Sequence, residues 1–237
     1  DVQAKIDFSD IFGYLPEFHP LENQIGQKKK KSLTEISSQE ILIAQTDFAK
    51  YENDIAQRSR QQQAFVEIAD TLSGLFSRCA AGEIGNDAFY EEMWDVWATH
   101  ASRFQGRGFE RTGKSANWRE ACQSLVRILK LRGEKKTDLI DDCVAAEMDL
   151  LKGNGNPVRK AWFTEMLCHY YPDLYPLLDR PVFEWLKNHE YRLYQNLLDG
   201  TKYIELSRAL RILVANNKSV IANLAELDIV LRYDSGI

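Results

Sequence analysis

The chain has 237 residues, of which 44% are hydrophobic and 27% charged, a composition typical of globular proteins rather than disordered ones. Its net charge of −5 means that the molecule as a whole does not attract polyanions, so a nucleic-acid role requires a local basic patch. We find no apolar run near the ~18 residues of a membrane span and no signal peptide, so we expect a cytoplasmic protein without a membrane partner. The four cysteines lie far apart among apolar neighbours, which favours reduced, buried thiols; we predict no metal site and no cofactor.

Residues 1–36 lack helical periodicity and contain an aromatic and proline cluster followed by Lys28–Lys31, so we predict an extended arm. A capping box, Ser37-x-x-Glu40, then predicts a long helix over residues 37–82. Its apolar residues recur in alternating steps of three and four: Ile41, Ala44, Phe48, Tyr51, Ile55, Phe65, Ala69, Leu72 and Phe76. Arg58 and Gln62 interrupt this stripe, so we do not expect a fully buried seam there. Packing within the chain is favoured, and a coiled-coil contact with a partner or second copy stays open.

Residues 83–237 predict a compact helical domain. One helix opens at Asp87 and continues towards Phe104, and a second is predicted to be capped by Ser115. Glycines and prolines mark further helix ends and starts: Gly133, Gly153, Pro157, Pro172, Pro176 and Pro181. No segment alternates in the manner of a strand, so the prediction is an all-α fold of about seven to nine helices.

The first candidate site is the connection Arg103–Lys114. Four cations are interspersed with its glycines: Arg103, Arg107, Arg111 and Lys114. Glycines let backbone amides approach a ligand closely, and Phe104 and Phe109 could stack on bases, so this segment predicts contacts with phosphate or nucleic acid. The alternative is a solvated basic loop.

The second candidate site is the glycine turn at Gly153 and Gly155, followed by Arg159 and Lys160. A turn that leads into a helix exposes unpaired amides, which can bind a phosphate. The alternative is structural: the glycines end one helix, and Asn156 and Asp179 cap two others.

The stretch Leu150–Leu186 resembles the helix-hairpin-helix DNA glycosylases, in which a Gly-x-Gly hairpin grips the DNA backbone. The resemblance implies Lys160 as nucleophile and Asp179, nineteen residues later, as the carboxylate that activates the attacking group. The proline-punctuated segment from Leu167, with the closing Asn223–Asp228, is similar to helical modules of bacterial restriction and antiphage systems.

Two hypotheses follow. The first is a nucleic-acid-binding module of a bacterial defence or repair system, with DNA as partner and glycosylase-like chemistry as an extension. The second is a non-enzymatic subunit whose long helix docks a larger ATPase or nuclease, or a second copy of itself. Whether the chain is an enzyme stays open at this point, and an apolar groove for a small ligand ranks third.

Overall fold

The computed structural model describes residues 48–103, 109–110, 113–188, 199–218 and 221–235. All regular structure in these ranges is helical, which confirms the all-α prediction. The chain divides into a unit of residues 1–31 and a unit of residues 32–237, and all the described residues belong to the second unit. The predicted arm at 1–36 lies outside the described residues.

The described ranges contain eight α-helices: α1 (Phe48–Ala81), α2 (Asn86–Met93), α3 (Trp118–Leu129), α4 (Thr137–Gly153), α5 (Ala161–Tyr170), α6 (Arg180–Asn188), α7 (Gly200–Asn216) and α8 (Leu224–Ser235). A π-helix, Trp94–Ala98, continues from α2, and a 3₁₀ turn, Pro157–Arg159, precedes α5. No helix among the described residues has the length and apolar character needed to cross a membrane.

Several helix ends follow the sequence signals, and the cap of α3 differs from the prediction. Gly133 (φ +94°) and Gly155 (φ +67°) adopt the left-handed conformation that glycine favours at helix ends. The cap of α3 is Asn117, whose side chain accepts from the Glu120 amide at 3.3 Å, and not Ser115. Both residue types suit the position, so the sequence alone does not choose between them.

The long helix α1 packs against α3 and, nearer its start, against α8. Its apolar stripe is used inside the chain, since Phe65, Leu72 and Phe76 are at most 1% exposed and Ile55 packs against the same core. Four tryptophans lie fully buried in this core: Trp97, Trp118, Trp162 and Trp185. The intramolecular packing face is therefore the structure observed for the described part of α1.

The helix predicted from Asp87 towards Phe104 is an α-helix only as far as Met93, the end of α2. It widens into the π-helix at Trp94 and then closes in a tight turn, in which the Trp97 carbonyl accepts from the amides of His100, Ala101 and Ser102 at 2.9–3.2 Å. Single π turns of this kind often occur at functional sites. This one exposes Thr99 and His100 beside α1.

Candidate functional site

The structure places the described residues of the basic connection in different environments. The Arg103 side chain is 1% exposed, so it is not available to a phosphate at the surface. Phe109 is 2% exposed and stacks on Tyr90 with ring centroids 4.7 Å apart, so it belongs to the core and does not present a face to bases. Lys114 is exposed; Arg107, Arg111 and Phe104 lie outside the described residues.

The glycine turn does not offer bare amides. The amides of Asn154, Gly155 and Asn156 donate to the carbonyls of Leu150, Lys152 and Leu151, at 2.9–3.1 Å. The Asn156 side chain donates to Glu120 Oε2 and to the Asn117 carbonyl, both at 2.9 Å, and Asn154 also donates to Glu120. The expectation of unpaired amides is wrong here, because the turn closes on itself and a carboxylate occupies its outer side. The exposed Gly153 ends α4, and Arg159 donates to the Asn156 carbonyl at 3.1 Å.

Both predicted catalytic residues contact the first turn of α6. Asp179 is 8% exposed, and its Oδ1 accepts from the Val182 amide at 3.2 Å, which makes it the helix cap. The Lys160 ammonium lies 4.5 Å from the centroid of the Phe183 ring. These contacts correspond to the structural alternative for Asp179 and to a packing role for Lys160; catalysis by the two stays a prediction.

A buried ionic cluster, consisting of Arg58, Arg103, Glu165 and Asp228, joins segments far apart in the chain. Arg58 Nη2 lies 2.5 Å from Asp228 Oδ2, and Arg103 Nη1 lies 3.7 Å from Asp228 Oδ1. The Arg103 amide donates to Glu165 Oε1 at 2.5 Å. Within the described residues the Arg103 guanidinium has no hydrogen-bond partner. Two buried cations therefore depend on one aspartate, with Glu165 as the neighbouring acid.

Burial sets the protonation of this cluster. It raises the pKa of Glu165 to about 7, although the Arg103 amide and guanidinium favour the carboxylate. It lowers the pKa of His169 well below its usual value, and the positive charges of Arg103 and Arg58 lower it further. His169 is therefore neutral at pH 7, whereas Glu165 titrates near neutrality.

Gln62 fixes the tautomer of His169. Its Nε2 donates to the His169 carbonyl at 3.0 Å, so its Oε1 accepts at 3.0 Å from His169 Nδ1, which must carry the proton. The imidazole stacks on Phe65 with centroids 4.3 Å apart. Its Nε2 faces Glu165 Oε1 at 3.7 Å, too far for a hydrogen bond. Because His169 is 3% exposed, this pair is sealed from solvent.

A surface depression, the donor-lined groove, lies beside this cluster between α1 and the turn after the π-helix. It has a volume of about 630 Å³. It is lined by Gln57, Arg60, Gln61, Ala64, Thr99, His100 and Ser102. Arg60 and His100 are exposed, and none of the lining residues that the structure describes is a carboxylate. Side chains of these types can donate to an anion.

A second depression, the aromatic–acidic depression, has a volume of about 410 Å³ and lies on the other side of the π-helix start. Its lining residues are Tyr90, Glu91, Trp94, Asp95, Glu110 and Lys114. Lys114, predicted to contact nucleic acid, therefore lies among three carboxylates, which repel a phosphate.

The sequence pattern located part of this arrangement and missed the rest. Arg58 and Gln62 interrupt the α1 stripe; Gln62 is half-buried, as expected of a seam that is not fully buried, but Arg58 is only 7% exposed. The sequence analysis did not identify the partner of Arg58, which is Asp228, 170 residues away. A charged residue at a stripe position was the available signal, because burial of a cation requires a partner elsewhere.

Comparison with known proteins found no matching family model, no matching curated protein and no matching solved structure. Within the described residues, no group of three or more His, Cys, Asp or Glu side chains could hold a metal ion.

Proposed function

We propose that this chain is a nucleic-acid-binding helical module that holds a sugar–phosphate backbone in the donor-lined groove. The observation that carries the proposal is the described lining of the groove, which contains Arg60, His100 and the polar side chains of glutamine, threonine and serine. None of these described residues is a carboxylate, and in a chain with a net charge of −5 a polyanion requires such a local patch. The resemblance of Leu150–Leu186 to glycosylases and of Phe89–Asp228 to defence modules supplies the bacterial defence or repair setting of this proposal.

The lining also indicates how the nucleic acid is held. Among the described lining residues none is aromatic apart from His100, so these residues provide no large ring face for stacking a base. Guanidinium, amide and hydroxyl groups are the usual contacts to phosphate and sugar, which position a strand without specifying its sequence. We therefore expect binding with little sequence preference and a strong dependence on salt concentration.

The test is fluorescence anisotropy with labelled single-stranded and duplex DNA, over a salt series that starts at ~50 mM. Arg60→Ala should weaken binding and reduce the slope of log K against log salt by about 0.9 if Arg60 makes one phosphate contact. Arg78→Ala is the matched control, because Arg78 is an exposed arginine of the same helix that pairs with Glu92 at 3.0 Å. Eighteen residues separate the two arginines, or ~27 Å along a helix.

Two results would count against the proposal. One is the absence of binding by the wild-type chain at the lowest salt concentration. The other is an equal loss for Arg60→Ala and Arg78→Ala, which would indicate attraction by overall charge and not by the groove.

Catalysis is a separate extension of this proposal. Asp179→Asn suits a test, because asparagine keeps the capping hydrogen bond to Val182 and removes only the charge. If the glycosylase-like prediction is right, Lys160→Ala and Asp179→Asn abolish base release while DNA binding persists. If the wild-type chain releases no base from damaged or mismatched duplexes, the chain is a binding module alone.

A further inference from the structure

The aromatic–acidic depression shares no lining residue with the donor-lined groove among the residues that the structure describes. The rings of Tyr90 and Trp94 lie 6.4 Å apart at 33° to each other, and both are half-buried. Behind them Phe109 stacks on Tyr90 at 4.7 Å and on Trp94 at 6.2 Å. The rings are thus held from within the core and keep part of their surface in the depression.

The backbone also helps to fix the positions of the Tyr90 and Trp94 rings. Gly113 packs so closely on Tyr90 that a Cβ at this position would lie 2.3 Å from the ring's Cε2 atom. The π-helix begins at Trp94, so the wider turn determines where that ring emerges relative to Tyr90. Buried neighbours therefore fix the positions of the two half-buried rings.

The rim of the depression is negative. Among the described lining residues, Glu91, Asp95 and Glu110 are exposed around the rings, against one cation, Lys114. Glu91 and Asp95 lie four residues apart on the helix, a spacing at which like charges repel. Three carboxylates beside two ring faces leave an excess negative charge above a negative π surface.

We infer that this depression binds a cationic side chain, a lysine or arginine of a basic segment in a partner protein. A ring face attracts an ammonium or guanidinium group, and the three rim carboxylates supply the compensating charge. The alkyl stem of such a side chain packs on Tyr90 and Trp94 while its charged end reaches the rim. The same surface repels a nucleic acid, so its occupant differs from that of the donor-lined groove.

The test uses a fluorescently labelled, end-blocked peptide of alternating glycine and lysine, with a glutamine-for-lysine peptide as the neutral control. We expect the lysine peptide to bind and the neutral one not to bind at ~50 mM salt. Trp94→Leu leaves the charge unchanged and should weaken binding several-fold to about thirtyfold, the range of cation–π contacts. Trp94→Phe keeps a ring and should restore most of the affinity.

The contribution of the rim carboxylates to peptide binding is tested by two matched variants at adjacent residues. Glu91→Gln removes a rim charge, whereas Glu92→Gln removes the same charge from a side chain that pairs with Arg78 and does not line the depression. Glu91→Gln should weaken peptide binding more than Glu92→Gln. Trimethylation of the peptide lysines should preserve binding and acetylation should abolish it, because only the former keeps the cation.

Equal affinities of wild type and Trp94→Leu would overturn the inference, and so would equal losses for Glu91→Gln and Glu92→Gln. If Trp94→Leu fails to fold, judged by circular dichroism, the exposed Glu91→Gln and Glu110→Gln variants decide the outcome. Failure of the wild-type chain to bind the lysine peptide at all would also overturn it.

Discussion

Arg58 on α1 and Asp228 on α8 form a buried ion pair at 2.5 Å that joins the long helix to the last described helix. The side chains are 8% and 2% exposed. Arg103, also buried, lies 3.7 Å from the same carboxylate. Such a pair contributes little net stability over apolar residues, but it becomes costly when one partner is removed. Replacing one partner of the pair should therefore lower the free energy of unfolding markedly.

Asp228→Asn should destabilise the chain by about 3–5 kcal/mol, because it leaves two buried guanidinium groups without their counter-charge. The control is Asp138→Asn, which removes an 88% exposed carboxylate that pairs with Arg208 at 3.1 Å. An exposed pair contributes about 0–1 kcal/mol, so this variant should unfold near the wild type. Urea unfolding monitored by circular dichroism measures both. A similar free energy of unfolding for the two variants would contradict the predicted role of Asp228.

Glu165 and His169 should impose opposite pH dependences on stability. The pKa of Glu165 is raised to about 7, so its contribution to folding is complete in acid and is lost as pH rises towards 7. The pKa of His169 is depressed, so its contribution is complete above the unfolded value of ~6.5 and is lost as pH falls. In the wild type the two effects offset each other between about pH 4.3 and 6.5.

Single substitutions should separate the two effects. In Glu165→Gln, His169 is the member of the pair that still titrates, so the free energy of unfolding should decrease as pH falls below ~6.5. In His169→Asn, Glu165 is the member of the pair that still titrates. The free energy of unfolding should therefore decrease as pH rises from about 5 to 7, by at most ~1.4 kcal/mol per pH unit. Thermal melts at several pH values test this. Slopes of the same sign in the two variants would show that the sealed pair does not titrate as described.

Two helical glycines should respond oppositely to alanine. At Gly74 in α1, a Cβ would have no atom within 4 Å, so Gly74→Ala should stabilise the helix by about 0.5–1 kcal/mol. At Gly200, the first residue of α7, a Cβ would lie 2.0 Å from the Ala145 carbonyl oxygen. Backbone atoms cannot give way as a flexible side chain can, so Gly200→Ala should destabilise the chain by several kcal/mol. Melting temperatures that shift in the same direction would refute the close packing of α7 on α4.

Asn156→Ala distinguishes the two candidate DNA-binding sites, the donor-lined groove and the glycine turn. The side chain binds Glu120 and the Asn117 carbonyl and accepts from the Val158 amide, so its loss should cost about 1–2 kcal/mol of stability. If the donor-lined groove is the binding site, DNA affinity should not change. A fall in affinity under conditions where the variant is fully folded would instead favour the glycine turn as the DNA contact.

The second sequence hypothesis, docking through the long helix, can be tested in solution. The apolar stripe of α1 from Ile55 to Phe76 packs within the chain, so that part is not available to a partner helix. Light scattering should therefore report a monomer unless residues before the described part of α1 make the contact. Recovery of a stable dimer would require an interface other than this stripe.

Local pattern was enough to predict the helices and several of their ends. Periodic apolar residues identified α1 and the later helices, and Gly133, Gly153 and Pro181 marked ends and starts, because helical propensity and the left-handed glycine conformation act over a few residues. The same local logic was less reliable where two candidates compete, as at Ser115 and Asn117.

The site depended on contacts that no local pattern contains. Whether Arg103 faces solvent or the core was decided by Asp228 and Glu165 on other helices, and whether the turn amides are bare was decided by how α4 ends. The sequence by itself determined that this chain is a set of amphipathic helices. Only the tertiary structure decided which charges are buried and which line a groove, because the desolvation of a charge depends on neighbours that are distant in sequence.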